Sequence, residues 1–233
     1  MHSRGFSSGS ARGDETRAPV ASLARGAVRI SGTVERGASW HVVTDRLGWT
    51  TVVLAGSPPD RALEASSVDA VVRAAAERGL DPIRTARALA HRFGDRMDAC
   101  ELGILRVGPR GCLAELLNVS LPAILHHDPR DGVAPYEAVG LEALRDGRAT
   151  TDVVRLEPGA LLLATTCGVL PRSAGWAELA RFVTSLHFDQ YGGELADVPP
   201  DELGRLLRSS LALGQGPRAV VAVGLPPAER LVA

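Results

Sequence analysis

The chain has 233 residues, 45% of them hydrophobic and 23% charged, with a net charge of −1 and a pI near 6.6. These are the values of one globular domain with a sizeable core, and they exclude a general binder of the nucleic-acid backbone, which would be basic. All 26 basic residues are arginine, which excludes a lysine Schiff base or a P-loop lysine. Cys100, Cys112 and Cys167 are odd in number and scattered, the pattern of reduced thiols in a cytoplasmic protein. No apolar run reaches the ~20 residues of a membrane span, and the first residues contain no signal-peptide-like apolar stretch.

Residues 1–25 are rich in Ser, Gly and Arg and read as a flexible tail, leaving 26–233 as a single domain. Residues 27–31 alternate like a strand, 40–44 follow as a second, and 50–55 are a third, β-branched and buried. Asp45 to Gly48 has the chemistry of a hairpin turn. Leu63, Val68, Val71, Val72 and Ala75 recur at helical spacing up to Gly79. Asp81 and Pro82 are the N-cap and first residue of a second helix, with Ile83, Ala86, Leu89 and Ala90 on one face and an end near Gly94. Strands resume at 100–107 and 112–119 around a Gly108–Gly111 turn, and 122–127 continues as another. Residues 126–132 read as a loop and 136–144 as ambiguous. Residues 153–156 and 161–165 form a further strand pair. A helix opens at Gly175, a last helix opens at a cap on Asp201, and 219–223 is the closing strand. Helices and antiparallel strands in blocks imply an α+β fold, with helices covering the outer faces of sheets.

The stretch that organises the chain is Arg155-Leu-Glu-Pro-Gly-Ala-Leu-Leu-Leu-Ala-Thr-Thr-Cys167-Gly168-Val-Leu. A turn launches a short apolar run that ends in small polar residues, as a buried strand does. It resembles the "LxPGDxLLLxTDGV" stretch of metal-dependent protein phosphatases of the PPM type, in the compact SpoIIE-like branch. Gly37-Ala-Ser-Trp-His41 is similar to that family's Gly-Asp-x-x-Asp segment, and Val53-Leu-Ala-Gly56 to its Asp-Gly at a strand end. Asn118-Val-Ser-Leu-Pro122-Ala-Ile-Leu resembles its Asn-Ala-Gly-His-Pro-x-x-Leu, and Val139-Gly140-Leu141 its Leu-Gly-Leu. The resemblance covers residues 26–225 and implies a four-layer α-β-β-α sandwich of two antiparallel sheets flanked by helices.

The family hydrolyses phosphoserine and phosphothreonine with a water held between two Mg²⁺ or Mn²⁺ ions, which need several carboxylate oxygens. In this chain the corresponding positions read Ala38, His41, Ala55 with Gly56, Cys167 with Gly168, and Gly216-Pro217, none of them acidic. A carboxylate cluster without cations repels itself, and neutral side chains remove that penalty. The resemblance with these departures implies a pseudophosphatase that needs no cofactor. It would bind a protein partner in bacterial partner-switching or stress signalling: a STAS-type antagonist, a serine kinase or a scaffold protein. A homodimer or heterodimer through the helices at 63–78 and 81–94 is a further expectation of the resemblance, and neither nucleic acid nor membrane is expected as a partner. One alternative is an active Mn²⁺- or Mg²⁺-dependent phosphatase with relocated ligands drawn from His41, Asp60, His126, His127 and Asp128. Another is a small-molecule sensor using the emptied cleft.

Each sharp reading has a plainer one. Cys167 could be a nucleophile, but reads first as a buried small hydrophobe. His126 and His127 are adjacent, so in a strand their side chains point apart; with Asp128 they read as a solvated loop. His41 reads as a half-buried strand histidine and Asp60 as a helix N-cap. Ser57, Thr165 and Thr166 form no evident triad with a His and an Asp.

Overall fold

The computed structural model describes residues 20–25, 28–35, 37–128, 130–169, 177, 180–181 and 218–225. Two antiparallel sheets pack face to face. The six-stranded sheet has the order β1 (Val20–Arg25), β2 (Val28–Glu35), β11 (Arg218–Gly224), β10 (Leu161–Thr165), β7 (Ala123–Asp128) and β8 (Gly132–Tyr136). The five-stranded sheet has the order β3 (Ala38–Thr44), β4 (Thr50–Gly56), β5 (Glu101–Val107), β6 (Leu113–Asn118) and β9 (Asp152–Arg155). Helices α1 (Ala65–Glu77), α2 (Pro82–Phe93) and the short α3 (Leu141–Arg145) accompany the five-stranded sheet. The architecture is the α+β sandwich that the element order implies. Most of the segment between β10 and β11, including the helix expected from Gly175 and the cap expected at Asp201, lies outside the described residues. So do Gly216 and Pro217. Among the described residues no helix is long and apolar enough to cross a membrane.

Side-chain alternation builds two cores. Val52, Leu54, Leu105, Leu116, Ile124, Leu162, Ala164 and Val221 fill the space between the sheets. Val53, Ala55, Leu102, Ile104 and Leu117 face the other way and pack with Val68, Val72, Ala86 and Leu89 of the helices. Local chemistry fixes several joints. Asp45 Oδ1 accepts from the N–H groups of Leu47 and Trp49 at 2.8 and 2.9 Å, closing the β3–β4 hairpin. The Asp81 carboxylate accepts from Arg84 N at 2.8 Å and caps α2, with Pro82 at its first position. A Cβ on Gly103 would press on the Leu121 side-chain methyl, so the glycine leaves room on β5 for that buried leucine.

Several expectations need correction. Val20–Arg25, assigned from composition to the tail, is a strand that pairs antiparallel with β2. The strands at 153–156 and 161–165 do not pair: β9 joins β6, whereas β10 lies between β11 and β7. The supposed loop after His126 is a β7–β8 hairpin. Asp60 caps no helix; it lies exposed in a 3₁₀ turn, Pro59–Arg61, and the residue preceding α1 is Glu64.

Candidate functional site

The ends of three strands of one sheet and two of the other meet at one mouth of the sandwich. The register places Ala38 opposite Gly56 and Gly56 opposite Glu101. From the other sheet, β10 runs out at Thr165 and the chain turns through a 3₁₀ segment, Cys167–Val169. Thr166 fastens this turn to β11: its N–H donates to the Ala219 carbonyl at 3.1 Å, and its Oγ1 accepts from Ala219 N at 2.8 Å. Glu101 bridges the two sheets, its carboxylate accepting from Cys167 N at 2.9 Å. Burial raises the Glu101 pKa above the usual carboxylate value, and the Cys167 contacts oppose that rise.

Sequence reasoning missed Glu101 because it stands at the start of β5, away from every motif. The β4–β5 register alone brings it beside Gly56. Ala55 does not face the mouth: it is buried in the core beneath the helices, and Gly56 is the residue on the mouth side.

Cys167 is exposed rather than buried, because its turn sits at the rim of the sandwich. Partial burial of the thiol, reinforced by the adjacent Glu101 carboxylate, pushes its pKa up to about 12. At neutral pH the thiol stays protonated, which does not suit a thiolate nucleophile. Burial likewise pushes Cys100 up to about 11.

His41 is fully buried, deeper than expected, at 3% exposure. It faces α1, away from the other sheet. Its Nε2 lies 3.1 Å from Ser39 Oγ, and its Nδ1 lies 3.4 Å from Asp69 Oδ1 without hydrogen-bond alignment. Asp69 is held in turn by Arg73 at 2.5 Å. Burial lowers the His41 pKa, with Asp69 opposing, so the ring is neutral at neutral pH. The Ser–His–Asp order is that of a hydrolase relay. Here Ser39 is only 6% exposed and lies beneath α1, so its hydroxyl is closed to a substrate. Sequence reading missed this set because Asp69 reaches His41 only once α1 packs on β3.

His126 and His127 point to opposite faces of β7, as adjacent strand residues must, but both are buried rather than solvated. Burial lowers the His126 pKa, and its ring centroid lies 6.5 Å from that of Tyr136. His127 pairs with Leu161, four residues from Thr165 along β10, about 13 Å at the strand rise. Asp128 is at the far end of the same hairpin. The structure therefore does not gather His41, His126, His127 and Asp128 at the mouth, and Asp60 lies exposed in the turn that follows β4. Among the described residues no group of three or more His, Cys, Asp or Glu side chains could hold a metal ion. The described residues of the mouth, with the Glu101 carboxylate engaged by a backbone N–H, do not by themselves fit a pair of hard cations.

Comparison with solved structures finds the same fold. The RsbU and RsbW domains of Rv1364c from Mycobacterium tuberculosis align with a TM-score of 0.66 at 15% identity, over 90% of this chain and 62% of that one. The PP2C phosphatase domain of SpoIIE from Bacillus subtilis, solved with a fragment of its regulatory domain, aligns at 0.63 and 15%, over 90% and 63%. RsbX in complex with magnesium aligns at 0.60 and 12%, over 89% and 100%. The chain thus spans less than two thirds of the length of the first two. Its fold is that of the SpoIIE-like PPM phosphatase domains. No protein-family model matches the sequence, and no characterised protein matches it in sequence.

Proposed function

We propose that this chain is a SpoIIE-like phosphatase-fold protein that acts by binding a regulatory protein and does not hydrolyse phosphoesters. The observation that carries this reading is the mouth of the sandwich. Where the resemblance puts metal-holding aspartates, the described positions are Ala38, His41, Ala55, Gly56, Cys167 and Gly168, none of them acidic, and of these His41 and Ala55 turn away from the mouth. Among the described residues the carboxylate there, Glu101, serves as a strut between the sheets. Fold alone does not fix activity, and the reaction of this fold depends on metal-bound water.

The fold neighbours support a protein partner. RsbU and RsbW domains occur together in one of them, and SpoIIE is a cell-fate determinant. A STAS-type antagonist, a serine kinase or a scaffold protein of a partner-switching circuit in the cytoplasm is the partner this reading expects.

Calorimetric titration of metal-stripped protein with Mn²⁺ and Mg²⁺, followed by a phosphoserine-peptide hydrolysis assay on the same sample, tests it. The expected outcome is no stoichiometric binding and no turnover. Binding with turnover overturns the reading. It would favour a phosphatase with relocated ligands, for which Glu101 is the one observation in hand; Glu101→Gln would then abolish turnover.

A further inference from the structure

The exposed face of α2 is uniformly basic. Its exposed residues are Arg84, Arg87, His91 and Arg92, and the helix contains no acidic residue. These positions are related by i, i+3, i+7 and i+8 and share one face. Among the described residues only Arg84 of the four forms an ion pair, 3.4 Å from the capping Asp81. Arg87 donates instead to the Leu144 carbonyl at 3.3 Å. The row is bounded. Beyond Arg87, Arg145 and Arg148 are paired with Asp98 and Asp146. On the other flank, the exposed positions of α1 between Glu64 and Glu77 are Ser66, Ala70 and Ala74, an uncharged shelf.

Helix stability does not account for this row. His91 and Arg92 suit the last turn, where the helix dipole favours cations. Arg84 stands in the first turn, which favours anions, where its acidic partner is the capping Asp81. Arg84 and Arg87 are spaced for like-charge repulsion. An external anion relieves it.

We propose that this face docks a carboxylate-rich segment of a partner protein, lying along α2 with its acidic groups against Arg84, Arg87 and Arg92. The inference rests on the partner-binding reading above and names the surface and chemistry of that contact. The helix is about 18 Å long at 1.5 Å per residue, which matches three turns of a helical peptide or about six extended residues. Charge complementarity favours a peptide over a nucleic acid. The row is one helix wide on a chain of net charge −1, and Glu64, Glu77 and Asp95 flank it, whereas a polynucleotide needs a broader basic field.

The test is fluorescence anisotropy with a labelled short Glu/Ala peptide, in the full chain. Binding should weaken by at least about tenfold in Arg84→Glu/Arg87→Glu/Arg92→Glu, the scale expected when close charge pairs are reversed. An intermediate loss is expected in the Gln triple variant, which also gives the answer if the Glu variant fails to fold by circular dichroism. The control, Arg46→Glu/Arg110→Glu/Arg130→Glu, changes net charge equally on exposed positions elsewhere and should bind as the parent does. Full binding in the α2 variants, or an equal loss in the control, overturns the proposal. So does tighter binding of a single-stranded oligonucleotide or of phosphatidylglycerol vesicles. Turnover of phosphopeptide, read separately, would sink the non-catalytic reading and leave this result untouched.

Discussion

The two faces of β3 handle polar groups in opposite ways. Towards the helices, Ser39 and His41 stay polar though buried, and Asp69 and Arg73 reach across from α1 to meet them. Towards the other sheet, Ala38, Trp40 and Val42 are apolar and pack against the inter-sheet core, and among the described residues the carboxylate at the mouth beyond Ala38 is Glu101. A buried polar group is tolerable where the protein itself supplies the partner. The helix-side cluster meets that condition in part, His41 Nε2 with Ser39 Oγ while Nδ1 stays without a hydrogen bond, and Glu101 meets it through a backbone N–H.

The sharpest way to break this contrast is to put a carboxylate back. Ala55 lies in the core beneath α1, at 4% exposure. Ala55→Asp should therefore destabilise by on the order of 3 kcal/mol, because the ion has no partner there. Denaturant midpoints measure it. A variant as stable as the parent, or one rescued by Mn²⁺, would mean that position 55 opens to the mouth.

His41→Ala comes next. It removes a buried ring and leaves Ser39 Oγ without its 3.1 Å partner, for about 2 kcal/mol. Glu101→Ala cuts the strut between the sheets and should cost about 1 kcal/mol, whereas Glu101→Gln keeps an acceptor and should cost less. Equal losses in the two Glu101 variants would show that the charge, not the hydrogen bond, matters at the mouth.

What the sequence made legible was local. Leu161–Thr165 announced itself as a short apolar run, and Asp81-Pro82 as a helix start, because the chemistry that forms them lies within a few residues. What it hid was pairing. β8 contains Pro135 and was not legible as a strand, but it is an edge strand, where a proline is tolerated. β9 and β10 are neighbours in sequence but belong to opposite sheets. Glu101 and Asp69 became visible only when the β4–β5 register and the packing of α1 on β3 placed them. At the candidate site, neither the direction of Ala55 nor the contact of Glu101 with Cys167 N could be read from sequence.

The smallest expected effect is the pH dependence of the helix-side cluster, and it separates a neutral His41 from a charged one. Burial holds the folded-state pKa of His41 below the 6.5 of an open histidine. As pH falls through about 6.5 the unfolded chain takes up a proton before the folded one does, so unfolding becomes easier. The contribution of His41 is full above that pH, declines on acidification toward the folded-state pKa, and is flat below it. His126, also lowered by burial, adds a slope of the same sign. Glu101, raised from 4.5, works in the opposite direction, gaining stability as pH falls through its folded-state value. Both of these cancel when the parent is compared with His41→Gln across the same pH series. The parent should lose stability more steeply below pH 6.5 than the variant. A steeper loss in the variant would mean that the Asp69 contact outweighs burial and that His41 is charged in the folded protein.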